Sequence, residues 1–189
     1  MKETVRDLGP AAGGGLAAYV FGYVFTYVLA GSAVEESSLN QIVEAVGDGG
    51  VAWKLVGWVF YNAHGATATI DIDIPLIGGT ETVNYIAQGD ALSPLLYVIP
   101  PALLIAAGLA AARMAGATEL GDAAKLGGGV TLGYLPLAIV GVFLFTVTVD
   151  TSTGGPTLVP AIGLAGLVYP LVFGSIGAAI GTALASGGR

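Results

Sequence analysis

Four apolar runs dominate the chain, at about residues 8–34, 93–112, 127–149 and 157–185, and none of them holds an Asp, Glu, Lys, Arg or His. Each is long enough for a helix crossing hydrocarbon, which takes roughly 20 mostly apolar residues. Between the first two runs, residues 35–92 are more polar and their period changes. Leu39, Ile42, Val43 and Val46 recur at i, i+3, i+4 and i+7 behind Ser37 and Ser38, and Gly47, Gly49 and Gly50 follow. That spacing predicts a short amphipathic helix. Val51 to Ala63 holds Trp53, Trp58 and Tyr61, and both tryptophans of the protein lie in it. Amphipathic rings favour the headgroup level, so this stretch reads as a helix lying in, or dipping into, the outer interface.

The period then drops to 2. Thr67, Thr69, Asp71 and Asp73 alternate with Ala68, Ile70, Ile72 and Ile74, Gly78 and Gly79 make a turn, and Thr80 to Ile86 returns. The pattern predicts a two-stranded hairpin. Such a hairpin is marginal alone, so its Ile face is expected to pack on the amphipathic helices. The whole chain, 1–189, therefore reads as one membrane domain of the all-α class. It is a four-helix transmembrane bundle with a small extracytoplasmic lobe, interfacial amphipathic helices plus a β-hairpin, at 35–92 between the first and second spans.

Composition narrows the class. Of 189 residues, 54% are hydrophobic and 10% charged, with a mean hydropathy of +0.82, which excludes an ordinary soluble enzyme. Lys2, Arg6, Arg113, Lys125 and Arg189 fall on one side of a four-span topology, leaving only Lys54 on the other. Positive residues mark the cytoplasmic side, so both termini are expected there, in the cell membrane. Two alternatives fare worse. A cleaved signal peptide near Gly31 and Ala33 would need an apolar run far longer than the usual ~7–15 residues. A fifth span at 51–68 would carry Lys54 and His64 and would put Arg113 and Lys125 outside.

Acidic residues outnumber basic ones 13 to 6 and the pI is about 4.3. Phosphate binding needs clustered Lys and Arg, so nucleic acid is excluded as a partner. The acidic, lysine-poor surface suits salty media, where screening suppresses repulsion between carboxylates. With no cysteine, thiol catalysis and Cys-ligated metal are absent. The string Val56-Gly-Trp-Val-Phe-Tyr-Asn-Ala-His64, the hairpin after it and Tyr97-Val-Ile-Pro-Pro-Ala-Leu-Leu resemble an uncharacterised family of haloarchaeal multi-pass membrane proteins. The resemblance covers about residues 10–185. It implies a halophilic, archaeal membrane protein and assigns no role to any residue.

Candidate chemistry is thin. His64, the only histidine, reads either as a metal or pH-sensitive partner of Asp71, Asp73, Glu81 or Asp90, or as a cap. A single imidazole with scattered carboxylates lacks metal-ligand spacing, so the favoured reading has His64 and Asn62 capping the Trp53–Tyr61 helix and bonding lobe backbone. Asp71 and Asp73 share a strand face and read as solvated. Gly127 to Gly133 lacks the Gly-Lys-Ser/Thr of a phosphate loop. Gly129 with Gly133, and Gly177 with Gly181, instead have the four-residue spacing that lets membrane helices approach closely. Tyr19, Tyr23 and Tyr27 step by four along the first span, a stripe for lipid, a partner helix or the bundle interior. Tyr97, Tyr134 and Tyr169 each precede a proline closely.

No catalytic residue, metal site or cofactor is assigned. Proton relays and intramembrane hydrolases place ionisable groups at depth, and these spans have none. The expected role is a non-enzymatic structural or accessory subunit that binds lipid, another membrane protein or copies of itself. The competing role is a passive channel or carrier for a small neutral solute, lined by Thr131, Tyr134, Thr146, Thr148 and Ser175.

Overall fold

The computed structural model describes residues 2–46, 49–73, 78–88 and 92–187. Gly47, Ile74, Asp90 and Arg189, named above, lie outside them. Helix α1 spans Lys2–Glu35, α2 Ser38–Val46 and α3 Ala52–Asn62. Strands β1 (Ala68–Ile72) and β2 (Gly79–Val83) lead to the short α4 (Tyr85–Gln88). A 3₁₀ turn at Pro94–Val98 runs into α5 (Ile99–Ala115), and α6 covers Leu120–Leu144. Strands β3 (Val147–Val149) and β4 (Ser152–Pro156) precede α7 (Leu158–Pro160), a π-helical segment (Ala161–Val168) and α8 (Tyr169–Gly187).

Four helical stretches are long and apolar enough to cross a membrane: Leu8–Glu35, Pro94–Ala115, Gly121–Leu144 and Leu158–Ser186. They close a ring in which α1 packs on α5 and α6, and α8 packs on the same two. Small residues allow this closeness. A Cβ on Gly133 would lie 1.9 Å from the Ala12 carbonyl oxygen, and one on Gly129 would lie 2.7 Å from the Ala11 Cβ. On the opposite side, Gly177 faces the Ile105 carbonyl and Gly181 faces Ala112 and Leu109. The four glycines therefore sit at the α1–α6 and α5–α8 crossings, inside the chain's own bundle. Outward, Val28, Phe143 and Val159 are 73%, 66% and 78% exposed and belong to a broad apolar surface.

Two elements differ from the sequence reading, and for a third, α3, the sequence leaves two courses open. The third apolar run does not stay helical to residue 149. After Leu144 the run Thr146-Val-Thr-Val149 is β-branched and becomes β3, which turns through Asp150 (φ 52°) into β4. The sheet is thus four-stranded and antiparallel, in the order β2-β1-β4-β3, rather than an isolated hairpin. Ala68 opposes both Val83 and Pro156, and Val147 opposes Gly154. A Gly–Gly stretch in β4 hid this strand, because those residues carry no alternation to read. Its lack of side chain has a packing reason: a Cβ on Gly154 would lie 2.5 Å from the Trp58 ring.

The second difference concerns α2, whose Ile42 is 60% exposed although it belongs to the apolar stripe, while Asn40 is buried. Helix α3 follows the inward of its two courses. It runs antiparallel to α1 and α6, into the ring rather than along its rim. Its near end meets Thr146 and its far end meets Tyr134. Tyr134 lies ten residues before the end of α6 at Leu144, or about 15 Å along the helix.

Candidate functional site

The residues that hold α3 in place form the best-defined constellation of the molecule. Leu55 to His64 are all buried, an unbroken burial that an amphipathic surface helix would not show. The end of α6 supplies carbonyls that have no intrahelical donor. Lys54 Nζ donates to Thr146 O at 2.9 Å, and Trp58 Nε1–H donates to Phe145 O at 2.7 Å. A cation and an indole from α3 therefore cap the C-terminus of α6, where the helix dipole favours positive charge. Tyr23 Oη–H donates to Trp53 O at 2.9 Å, fixing the near end of α3 to α1.

Deeper in the ring, hydroxyls take over. Tyr61 Oη–H donates to Ala138 O, so its oxygen accepts from Tyr19 Oη–H at 3.2 Å. Gly141 makes room for this pair: a Cβ there would lie 2.0 Å from the Tyr19 hydroxyl and 2.6 Å from that of Tyr61. Phe60 stands edge-on to Tyr19, with ring centres 5.1 Å apart. Such edge-to-face contacts are the preferred geometry of aromatic quadrupoles.

His64 ends the series, fully buried. Its Nδ1 lies 2.8 Å from Phe60 O, a group that only accepts, so Nδ1 carries the proton. Nε2 is then the acceptor, and Tyr134 Oη–H donates to it at 2.7 Å. The Tyr169 ring lies 5.1 Å from the imidazole on the far side. Asn62 joins α3 to the lobe: Nδ2 donates to Ala66 O at 2.8 Å, and Oδ1 accepts from Tyr85 N–H at 2.9 Å. Gly65, at φ +74°, turns the chain back toward β1. Thr157 N–H donates to Thr67 O, and the Thr157 hydroxyl meets those of Thr67 and Thr69 at 3.1 and 2.6 Å. These contacts fasten the returning chain to the start of α7.

The sequence candidates are distributed unevenly around this core. Trp58, Tyr61, Asn62 and His64 belong to it, and Trp53 stands at its mouth, 37% exposed. Of the tyrosine stripe, Tyr19 is buried, Tyr23 half-buried and stacked on Phe145 at 5.2 Å, and Tyr27 39% exposed. Asp71 accepts from Thr80 Oγ1 at 2.6 Å, Asp73 N–H donates to Ser152 Oγ, and both carboxylates stand in the open sheet. Among the described residues no three His, Asp or Glu side chains gather as a metal site. Sequence reasoning did not connect Tyr134 and Tyr169 with His64. The sequence signal was their shared placement before Pro136 and Pro170, and in the structure a π-helical segment also ends at Val168, just before Tyr169. Prolines lack the N–H that continues a helix, and π segments often mark such interruptions.

The arrangement is a network of hydrogen bonds that satisfy one another. Both imidazole nitrogens and the Tyr61 hydroxyl are committed to partners, with no carboxylate among them. Gly57 shows how closely it is filled, since a Cβ there would lie 2.3 Å from the Phe145 ring. Comparison with known proteins finds no match among curated proteins and none among solved structures. One family model matches residues 1–185, and on that match the chain belongs to a family of unknown function, DUF7978.

Proposed function

We propose that this chain is an integral protein of the cell membrane, with both termini cytoplasmic, acting as a non-enzymatic structural or accessory subunit. The observation that carries the reading is α3. It occupies the space between α1 and α6 down to Tyr134, and its polar groups are spent on α6 and α1. In a membrane this makes α3 a re-entrant helix, tolerable at depth because its backbone and side chains are satisfied by protein. The acidic, lysine-poor composition supports a salty medium, as in halophilic archaea.

The packing glycines face the chain's own helices, so partner contact falls to the outer apolar surface and to the lobe. Lipid, another membrane protein and a second copy are the partners this surface suits. The pore reading has less support. Thr131 and Thr146 bond back to Gly127 O and Val142 O in their own helix, and Tyr134 is taken by His64. These three hydroxyls are each engaged with a separate partner.

The test is the mass of the protein purified from native membranes at high salt in mild detergent. The accessory reading expects a second membrane protein or defined lipid in fixed stoichiometry. Bare protein that conducts a neutral solute in liposomes would overturn it.

A further inference from the structure

Helix α2 does not bury its apolar stripe squarely. At about 100° per residue, Leu39, Ile42, Val43 and Val46 centre on one direction of the helix. The residues that turn inward are Leu39, Asn40 and Val43, and their centre lies about 60° round from it. Ile42 is left 60% exposed while Asn40 is 2% exposed. Asn40 Nδ2 donates to Glu35 O at 3.1 Å, but Oδ1 is sealed from solvent and meets no donor. It is the one buried side-chain oxygen or nitrogen without a partner among the described residues. Both features count against the position that α2 occupies, since a buried acceptor wants a donor and an isoleucine wants cover.

The two flanks of α2 offer relief in the same sense of rotation. On the Leu39 flank lies a cavity of about 120 Å³, lined by Val34, Leu39, Leu55, Val59 and Leu92. An apolar cavity of about 150 Å³ takes a benzene-sized group, so this one suits the side chain of an isoleucine. Ile42 stands on that flank, one turn beyond Leu39 and about 60° further round. On the other flank Asn40 and Glu44 border an open cleft. We propose that α2 is a cover with two positions. In the observed one Ile42 faces out and Asn40 is buried. In the second, reached by a roll of about 60°, Ile42 fills the cavity and the Asn40 amide reaches water through the cleft. The roll gives up one hydrogen bond, to Glu35 O, and hydrates both ends of the amide. The connections allow it: Ser37 Oγ–H, bonded to Val34 O at 2.6 Å, anchors the turn before α2, and the chain passes on to α3 through Gly49 and Gly50, both at positive φ. Glycine takes either sign of φ and so absorbs the twist. Only the observed position offers an apolar contact at Ile42, and the roll switches that contact on and off.

Spin-label distances in the full chain, in phosphatidylcholine nanodiscs, read the roll. The chain has no cysteine, so Ala45→Cys on α2 is paired in turn with Thr80→Cys and Thr148→Cys, exposed on the two edge strands of the sheet. Asn40→Leu suits an apolar site and is expected to hold the observed position. Asn40→Asp puts a charge where burial penalises it and is expected to hold the rolled one. A roll of about 60° carries a side chain about 5 Å, so a difference approaching that size is expected between the two variants in at least one label pair, each distribution staying narrow. Ala33→Leu, which extends a side chain into the cavity from α1, is expected to abolish the narrow rolled distance of the Asn40→Asp chain. The proposal is overturned by equal distances in Asn40→Leu and Asn40→Asp, by a broad distribution in Asn40→Asp that marks a melted helix, or by a rolled distance that survives Ala33→Leu.

Discussion

Tyr134 of α6 donates a hydrogen bond to Nε2 of His64, 70 positions earlier in the chain, across 2.7 Å. The bond joins the far end of α3 to the middle of α6, and with it the lobe to the ring of long helices. Removing either partner leaves a buried polar atom unmatched, so the two side chains are expected to be energetically coupled. A double-mutant cycle of His64→Phe and Tyr134→Phe, read as unfolding free energy in mild detergent, should give a coupling of about 0.5–2 kcal/mol. A coupling indistinguishable from zero would show that the contact carries no stability.

The glycine crossings predict a contrast between two neighbouring positions. A Cβ at Gly133 would meet backbone, the Ala12 carbonyl oxygen, whereas Gly128 has nothing within 4 Å. Gly133→Ala should force α1 and α6 apart and cost about 1–3 kcal/mol. Gly128→Ala should leave stability within about 0.5 kcal/mol. Melting temperatures of the two variants measured side by side check this, and equal melting would count against the close α1–α6 contact.

Trp58 carries two duties, the cap on Phe145 O and the cover over Gly154. Trp58→Phe keeps an aromatic ring but removes the indole donor from a buried carbonyl. The expected loss is about 1–3 kcal/mol. Hydrogen exchange should show it first in β3 and β4, which follow the end of α6.

The lobe that carries the sheet should be sensitive to alkali. Burial pushes the Tyr85 phenol up to about 12 from an ordinary value of 10.0, and the charge of Glu81 adds to the rise. The folded state thus holds the phenol proton more tightly than the unfolded chain does. Stability from this group is complete below about pH 10 and is lost as pH rises toward 12. Tyr85→Phe should therefore lose less stability than the natural chain between those limits. Parallel loss in both would remove Tyr85 from the account.

Much of the fold was legible because its signals are one-dimensional. Four charge-free apolar runs gave four long helices, and the Thr/Ile alternation at 67–74 gave β1. The Gly-x-x-x-Gly spacings marked two close crossings. What stayed hidden depends on partners distant in the chain. Trp58 and Tyr61 look alike at an interface and in an interior, and only Phe145 O and Ala138 O, 87 and 77 positions away, decide between them. The β3–β4 hairpin was masked by apolar β-branched residues that read as the end of a span. Asn40 was invisible for the opposite reason: a lone polar residue beside an apolar stripe normally points outward, and here it is the residue turned in.

The central claim is the depth of the α3 tip, and the chain's lack of cysteine allows a direct measurement. Gly65, at the tip, is exposed with nothing within 4 Å of where a Cβ would stand, its φ of +74° costs a cysteine there about 1–2 kcal/mol, and Thr80 is exposed on β2. A bimane fluorophore on Gly65→Cys or on Thr80→Cys, in liposomes, is challenged with aqueous iodide and with lipids brominated at mid-chain. The account predicts that the Gly65 probe is quenched by the brominated chains and spared by iodide, with the Thr80 probe showing the reverse. Equal iodide quenching of the two, with no effect of the brominated chains on Gly65, would place the tip at the surface and contradict the re-entrant reading.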